Sequence, residues 1–306
     1  MRIDFGFGRT MSFNEMPYNS IALDGACQAP QVDPANRRFS FDHHSGCLRF
    51  ATLATCQQVA LAIRMGLVTD DETTVFINDL DADTSLAVWL LQNPGRLEEP
   101  RVVELLERVA LTDAHGPLFA PHWLHSQLGP RYGSTDPQTI EMLQVFLQKI
   151  SAFVEGELEA PAKQVKEPSK GLGWSPKTGW VEIETTDGFA SAYGQGFLAA
   201  VLFVPASEGT TTYTVGKRSD FVSFPVGPSH VDRNGDPSSY RKDTLLGALG
   251  LAELEANPQQ SHKDNWGGAS TVGGSPRITV DRNGTKAQLA SKLTPEQVFQ
   301  ICKRFG

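Results

Sequence analysis

The stretch Arg38-Phe39-Ser40-Phe41-Asp42-His43-His44-Ser45-Gly46 decides how the first part of this chain is interpreted. Its first four residues alternate polar and apolar side chains, which is typical of a strand. Asp42, His43 and His44 follow directly, and Gly46 permits the chain to turn there. Side chains at the end of a strand can face a single point, as the ligands of a metal-assisted hydrolase do. The stretch therefore predicts metal ligands at Asp42 and His43 and catalytic roles for His43 and His44; the alternative is a solvated polar loop.

A second acidic cluster follows another short apolar run. Residues 74–77 predict a strand, and Asp79, Asp81 and Asp83 come shortly after it. Three acids this close repel one another unless a cation or solvent relieves the repulsion. The cluster therefore predicts further metal ligands. The alternative is a surface acidic loop in which Asp83 or Thr84 caps the following helix.

Three more residues are candidate ligands because they lie where short elements end. Asp24 follows a strand predicted at 20–23, although a plain turn aspartate fits the same position. Asp113 and His115 follow an amphipathic helix predicted at 100–111 and form a further predicted ligand-bearing loop. Carboxylates and imidazole suit Mn²⁺, with Mg²⁺ as the alternative. Two clusters on one short domain favour two ions.

Composition narrows the classes of function. The net charge of −8 argues against a broad basic surface for long nucleic acid, but not against a small phosphorylated substrate. No apolar run reaches the length of a membrane span, and the N-terminus lacks the apolar core of a signal peptide, so we expect no membrane partner and a cytoplasmic location. The four cysteines form no CxxC pair. The oligomeric state stays open, and a homodimer is one of the options.

The order of predicted elements gives the fold class. Residues 1–160 alternate strands and helices, which predicts an α/β domain with a parallel sheet. Residues 160–170 are polar and proline-containing, and we predict a linker at 161–176. Residues 177–306 contain period-two segments, which predict a smaller, mainly β domain of α+β type. Within it we expect helices at 245–256 and 294–303 and a glycine-rich loop at 266–277.

The triplet Asp42-His43-His44 resembles the signature of the DHH phosphoesterases. The resemblance implies a DHH-like catalytic domain that hydrolyses phosphoester or phosphoanhydride bonds with manganese. The C-terminal part is similar to the substrate-binding domain of one branch of that family. This similarity implies that the substrate is bound by the following residues: Arg218, Ser219, Gly267, Gly268, Gly273, Gly274 and, more weakly, Arg277.

The chain also departs from the family pattern. The nearest match to the acidic motif that usually precedes the triplet follows it here, at residues 79–83, and Ile77 stands where a histidine ligand is expected. Either this strand–helix unit is permuted, or it corresponds to the later aspartate motif of the family, in which case Asp24 matches the intermediate aspartate. Ala269 stands where the glycine loop of the family has a histidine. We therefore predict a divergent phosphohydrolase that uses metal-activated water on a short phosphodiester, a nucleoside bisphosphate or polyphosphate. The alternatives are a non-catalytic nucleotide- or metal-binding regulator and a metal-dependent hydrolase of another bond.

Overall fold

The fold is known from a computed structural model and consists of two compact units. Unit 1 comprises Met1–His115 and Pro121–Lys163, and unit 2 comprises Gly116–Ala120 and Gln164–Gly306. The structure describes residues 1–119, 121–128, 136–160, 169–175, 179–185, 188–206, 209–223, 226–227, 229, 240–260, 265–268, 270–276, 279–280, 286–287 and 290–305.

A five-stranded sheet forms the centre of unit 1. Its strands are β1 (Arg2–Phe5), β2 (Ser20–Leu23), β3 (Gln31–Asp33), β4 (Arg38–Phe41) and β5 (Thr74–Ile77), in the order β1-β5-β2-β4-β3. Every pair is parallel except β3 with β4. β2 and β5 are buried along their whole length, as expected for parallel strands that are covered on both faces.

The described residues of unit 1 also form four α-helices: α1 (Thr55–Arg64), α2 (Ala82–Gln92), α3 (Pro100–His115) and α4 (Asp136–Val154). α2 is buried from Ala82 to Leu91, because its side chains are apolar or small all round and the other three helices contact it. α1 and α3 each bury one apolar face. Together these helices and the sheet enclose one continuous hydrophobic core.

Unit 2 is built on an antiparallel sheet. Its strands are β6 (Ser169–Ser175), β7 (Gly179–Thr185), β8 (Ala199–Pro205), β9 (Thr211–Lys217), β10 (Gly267–Gly268) and β11 (Val272–Gly274), in the order β10-β11-β9-β8-β6-β7. The unit also contains the pair β12 (Thr279–Val280) and β13 (Lys286–Ala287) and the helices α5 (Phe189–Gly194), α6 (Leu245–Ala256) and α7 (Pro295–Cys302). Trp174, Tyr213 and Trp266 are the largest side chains of its main core.

The chain is thus a mixed α/β protein with one mainly parallel and one antiparallel sheet, which confirms the predicted fold class at that level. Three local predictions are wrong. Residues 169–175 form β6 rather than part of a linker, since their backbone pairs with β7 and β8. The glycine-rich stretch contributes two short strands. The helix predicted at 100–111 continues to His115 because its first breaker is Gly116, at φ +62°.

The helices of both units are short or amphipathic. Within the described residues, no helix has both the length and the apolar character that crossing a bilayer requires.

Candidate metal centre

The parallel strands bring the predicted ligands of unit 1 to one edge of the sheet. β2 lies between β4 and β5, and all three strands run in the same direction. Asp24 directly follows β2, Asp42 directly follows β4, and the acidic cluster at 79–83 follows β5. Carboxyl ends of parallel strands are the usual place for ligands in open α/β sheets.

His43 lies at the middle of the cluster and is completely buried. Its Nε2 lies 2.6 Å from Asp113 Oδ2, 3.5 Å from Asp24 Oδ1 and 3.6 Å from Asp83 Oδ2. Burial alone would lower the pKa of His43, but its contacts with Asp113 and Asp24 outweigh burial and raise the pKa to about 9. Neither ring nitrogen makes a hydrogen bond of acceptable geometry with a described residue. A buried imidazole nitrogen without a hydrogen-bond partner needs an explanation, and a bound cation is one that the surrounding carboxylates allow.

Asp24 is held in a strained backbone conformation. Its φ of +51° is uncommon for a residue other than glycine, and such strain concentrates at functional sites. Thr55 Oγ1 donates to Asp24 Oδ1 at 3.0 Å, and Thr84 Oγ1 donates to Asp24 Oδ2 at 3.2 Å. Burial opposes ionisation of this carboxyl, yet His43 and His44 hold its pKa below the usual value. The two threonines were not predicted as site residues, and they fix the orientation of Asp24.

Asp83 is buried in the first turn of α2 and is bound by the N-terminus of α1. Its two oxygens accept the backbone N–H groups of Thr55 and Cys56, each at 2.8 Å. A carboxylate at a helix N-terminus is favoured by the free N–H groups and the helix dipole. Burial, followed by repulsion from Asp113 and Asp24, nevertheless raises the pKa of Asp83 to about 7. The carboxylates therefore crowd one another in the absence of a cation.

Asp113 completes the cluster from the last turns of α3, not from a loop as predicted. Its Oδ2 is buried and has no hydrogen-bond partner among the described residues. Arg49 lies beside it: its Nη2 donates to the backbone oxygen of Asp113 at 2.9 Å and lies 3.6 Å from Oδ2. Arg49 was not predicted, since a single basic residue shortly after the histidine pair is a weak signal.

His44 and Asp42 play different parts from His43. The His44 side chain is 38% exposed, and its Nδ1 lies 3.1 Å from Asp24 Oδ1. Burial opposes protonation of His44, but Asp24 and Asp42 raise its pKa to about 10. Asp42 is fully buried, and its oxygens accept the N–H groups of Ala29, His44 and Ser45. Asp42 thus shapes the turn that carries the histidines.

Besides Asp42, which belongs to neither ligand set of the described residues, three of the predicted ligands lie outside the cluster or at its border. Asp79 is exposed, and its Oδ1 accepts the N–H of its neighbour Leu80. Asp81 is the N-cap of α2, because its Oδ1 accepts the Thr84 N–H. The prediction that Asp83 or Thr84 caps this helix is therefore wrong. Burial and the charges of Asp24, Asp113 and Asp83 raise the pKa of Asp81, which places it at the border of the cluster. His115 belongs to neither of the two ligand sets that the described residues form.

The predicted substrate-binding residues belong to unit 2. Arg218 and Ser219 follow β9, and the backbone N–H of Arg218 donates to Leu198 O at 2.7 Å. Gly267 and Gly268 pair with Gly274 and Gly273 in the β10–β11 hairpin. Their backbone groups therefore serve the sheet edge rather than an open loop. Arg277 and Ala269 lie outside the described residues.

The side chains present in unit 1 fit a divalent cation. Two sets, Asp24 with His43 and His44, and His43 with Asp83 and Asp113, each offer ligand atoms that lie within 4.8 Å of one another. Neighbouring ligands of an octahedral ion of the size of Mg²⁺ lie about 3 Å apart, so a small local shift would accommodate one. Oxygen and imidazole ligands admit Mn²⁺ or Mg²⁺ and do not decide between them.

Comparison with protein-family models, with curated proteins and with solved structures finds no match to this chain. Its function therefore has to be inferred from the residues and geometry of the centre itself.

Proposed function

We propose that this chain is a metal-dependent phosphohydrolase that cleaves a short phosphorylated substrate with water. The observation that carries the proposal is the position of His43 Nε2, fully buried and within 3.6 Å of oxygens from three carboxylates. Three acids and an imidazole are costly to bury together unless a cation binds them. Such ligand sets are typical of hydrolytic centres.

The cation would be held by Asp24, His43, Asp83 and Asp113. A bound divalent ion polarises a phosphoryl oxygen and lowers the pKa of water, which makes water a nucleophile near neutral pH. Asp24 is oriented by Thr55 and Asp83 by the N-terminus of α1, so the ligands are held in place before the ion arrives.

Two further side chains suit a phosphate at this centre. Arg49 is about one-third exposed, and its guanidinium can donate two parallel hydrogen bonds to phosphate oxygens. His44 is open to solvent to a similar extent and can donate a proton or hydrogen bond to the leaving oxygen. Both side chains lie next to a proposed metal ligand, where charge develops during phosphoryl transfer.

The substrate class rests on charge and on the DHH resemblance. An acidic chain with a net charge of −8 suits short substrates: a phosphodiester, a nucleoside bisphosphate or polyphosphate. The resemblance assigns Arg218 to a second phosphate of such a substrate, and this role stays a proposal. Ile77 is buried and offers no ligand, which favours the alternative of a metal- or nucleotide-binding regulator.

The test is phosphate or nucleotide release from a panel of these three substrate classes, with and without added Mn²⁺. Asp113→Asn should reduce release by at least about 100-fold, because it removes a ligand without changing the size of the side chain. Asp79→Asn is the matched control, since that exposed carboxylate lies outside the cluster, and its release should stay within about twofold of the unaltered chain. Nucleotide binding without release from any substrate would contradict the proposal and favour the regulator.

A further inference from the structure

The two ligand sets of the centre describe one position rather than two. Both depend on His43, and its contacts with Asp24, Asp83 and Asp113 are all made by Nε2. A ring nitrogen has one lone pair and can ligate one ion. His44, the remaining member, approaches the same oxygen of Asp24 that faces His43. The ligands therefore converge on a single point.

The other oxygens of the two innermost carboxylates are bound by the protein. Asp24 Oδ2 accepts the Thr84 hydroxyl, and Asp83 Oδ1 accepts the Cys56 N–H. Each carboxylate thus presents one oxygen to the imidazole of His43, and Thr55 also donates a hydrogen bond to that oxygen, whereas the other oxygen is turned away from His43. This arrangement disfavours an ion on the far side of either carboxylate.

The remaining acids do not form a second set. Residues 1–119 are all described, and among them Asp42 uses both oxygens for backbone N–H groups, while Asp79 is exposed. Asp81 borders the cluster, but one of its oxygens caps α2. Asp24 and Asp81 alone would give a second ion two protein carboxylates, a number that holds Mg²⁺ only with the help of substrate phosphates. A second resident ion has too few ligands here.

The charges of the centre agree with one ion. Asp24, Asp83 and Asp113 carry three negative charges when ionised, and one divalent ion leaves one negative charge. The guanidinium of Arg49, 3.6 Å from Asp113 Oδ2, neutralises it. A second divalent ion would leave an excess of one positive charge beside Arg49 even with Asp81 ionised, which is unfavourable in a partly buried site.

We infer that the substrate-free protein holds one divalent cation at this centre, bound by Asp24, His43, Asp83 and Asp113, and not the two that the acidic clusters predicted from sequence. This inference rests on the metal-binding part of the proposed function and is independent of turnover.

The experiment counts Mn²⁺ on the full chain in phosphate-free buffer. The metal-stripped protein is titrated by calorimetry, and the bound metal is measured by elemental analysis after dialysis. We expect one Mn²⁺ per chain and the electron paramagnetic resonance spectrum of an isolated ion. Two ions per chain, or the spectrum of an exchange-coupled pair, would overturn the inference, and so would the absence of binding.

Two variants locate the ion. Asp113→Asn should weaken Mn²⁺ binding by at least about tenfold, and Asp79→Asn should leave it unchanged. Thermal unfolding without metal shows whether Asp113→Asn is folded, and Asp24→Asn supplies a second ligand variant if it is not. Unchanged Mn²⁺ affinity in a folded ligand variant would show that the ion lies elsewhere.

Turnover is measured separately on the substrate panel. One bound ion without release of any product would contradict the proposed function and leave the inference standing. Two bound ions with Mn²⁺-dependent release would overturn the inference of one ion and support the proposed function.

Discussion

Lowering the pH from 8 to 6 should weaken Mn²⁺ binding steeply, because protons and the cation compete for the same atoms. In the metal-free protein, contacts with Asp113 and Asp24 outweigh burial and raise the pKa of His43 to about 9. Burial and the same two neighbours raise the pKa of Asp83 to about 7. A cation needs the lone pair of His43 Nε2 and the ionised form of Asp83, so its binding releases the protons held there.

The magnitude follows from these two values. Between pH 7 and pH 9 binding displaces the His43 proton, so the affinity changes about tenfold, or about 1.4 kcal/mol, per pH unit. Below pH 7 the Asp83 proton is also displaced, and the dependence steepens toward about 100-fold per unit. From pH 8 to pH 6 the dissociation constant should therefore rise by roughly 1,000-fold.

The assay is calorimetric titration with Mn²⁺ in pairs of buffers that differ in their heat of ionisation, which counts released protons. We expect about one proton at pH 8 and about two at pH 6. Asp113→Asn removes the closest carboxylate from His43, so its proton release at pH 8 should fall, while His115→Gln should match the unaltered chain. A dissociation constant that is the same at pH 6 and pH 8, without proton release, would refute the assignment of His43 and Asp83 as ligands.

Three further outcomes are expected. Arg49→Gln should raise the Michaelis constant for a phosphorylated substrate about tenfold or more, because it removes a charged phosphate donor; an unchanged constant would exclude Arg49 from the substrate site. Trp89→Ala should lower the free energy of unfolding in urea by about 3–5 kcal/mol, since Trp89 is 1% exposed and its Nε1 donates to Ser151 Oγ; Phe at the same position should cost less. Glu253→Gln should cost about 1–3 kcal/mol, because the buried Glu253 carboxylate accepts the Trp266 Nε1–H and two other hydrogen bonds; an unfolding curve that matches the unaltered chain would contradict this.

Local patterns in the sequence predicted most elements of unit 1. The strands expected at 20–23, 38–41 and 74–77 are β2, β4 and β5, because short apolar runs that end at polar turns have few alternatives. The ends of elements were predicted less accurately where no glycine or proline marks them. The helix predicted at 100–111 continues to His115, and residues 169–175 form β6 because β7 and β8 pair with them.

The sequence predicted which types of residue form the centre, but not which of those residues contact one another. Asp24 and His43 were expected because each follows a strand, and adjacent parallel strands place both at one edge of the sheet. Of the three alternating acids, the sequence could not say that Asp83 faces inward while Asp79 faces solvent. That choice depends on how α2 begins, and Asp81 caps the helix.

The sequence by itself determined the fold class, the strand–turn positions of the acids and histidines, and the chemistry that those side chains can supply. These properties depend on residue type and short-range periodicity, which are visible along the chain. Only the tertiary structure decided that His43, Asp24, Asp83 and Asp113 meet, and that Arg49 and Thr55 lie beside them. Residues 24 to 113 are far apart in sequence, and packing of α1, α2 and α3 around the parallel sheet fixes the distances between their side chains. The number of ions that the centre can hold follows from those distances, because it depends on which lone pairs face the same point.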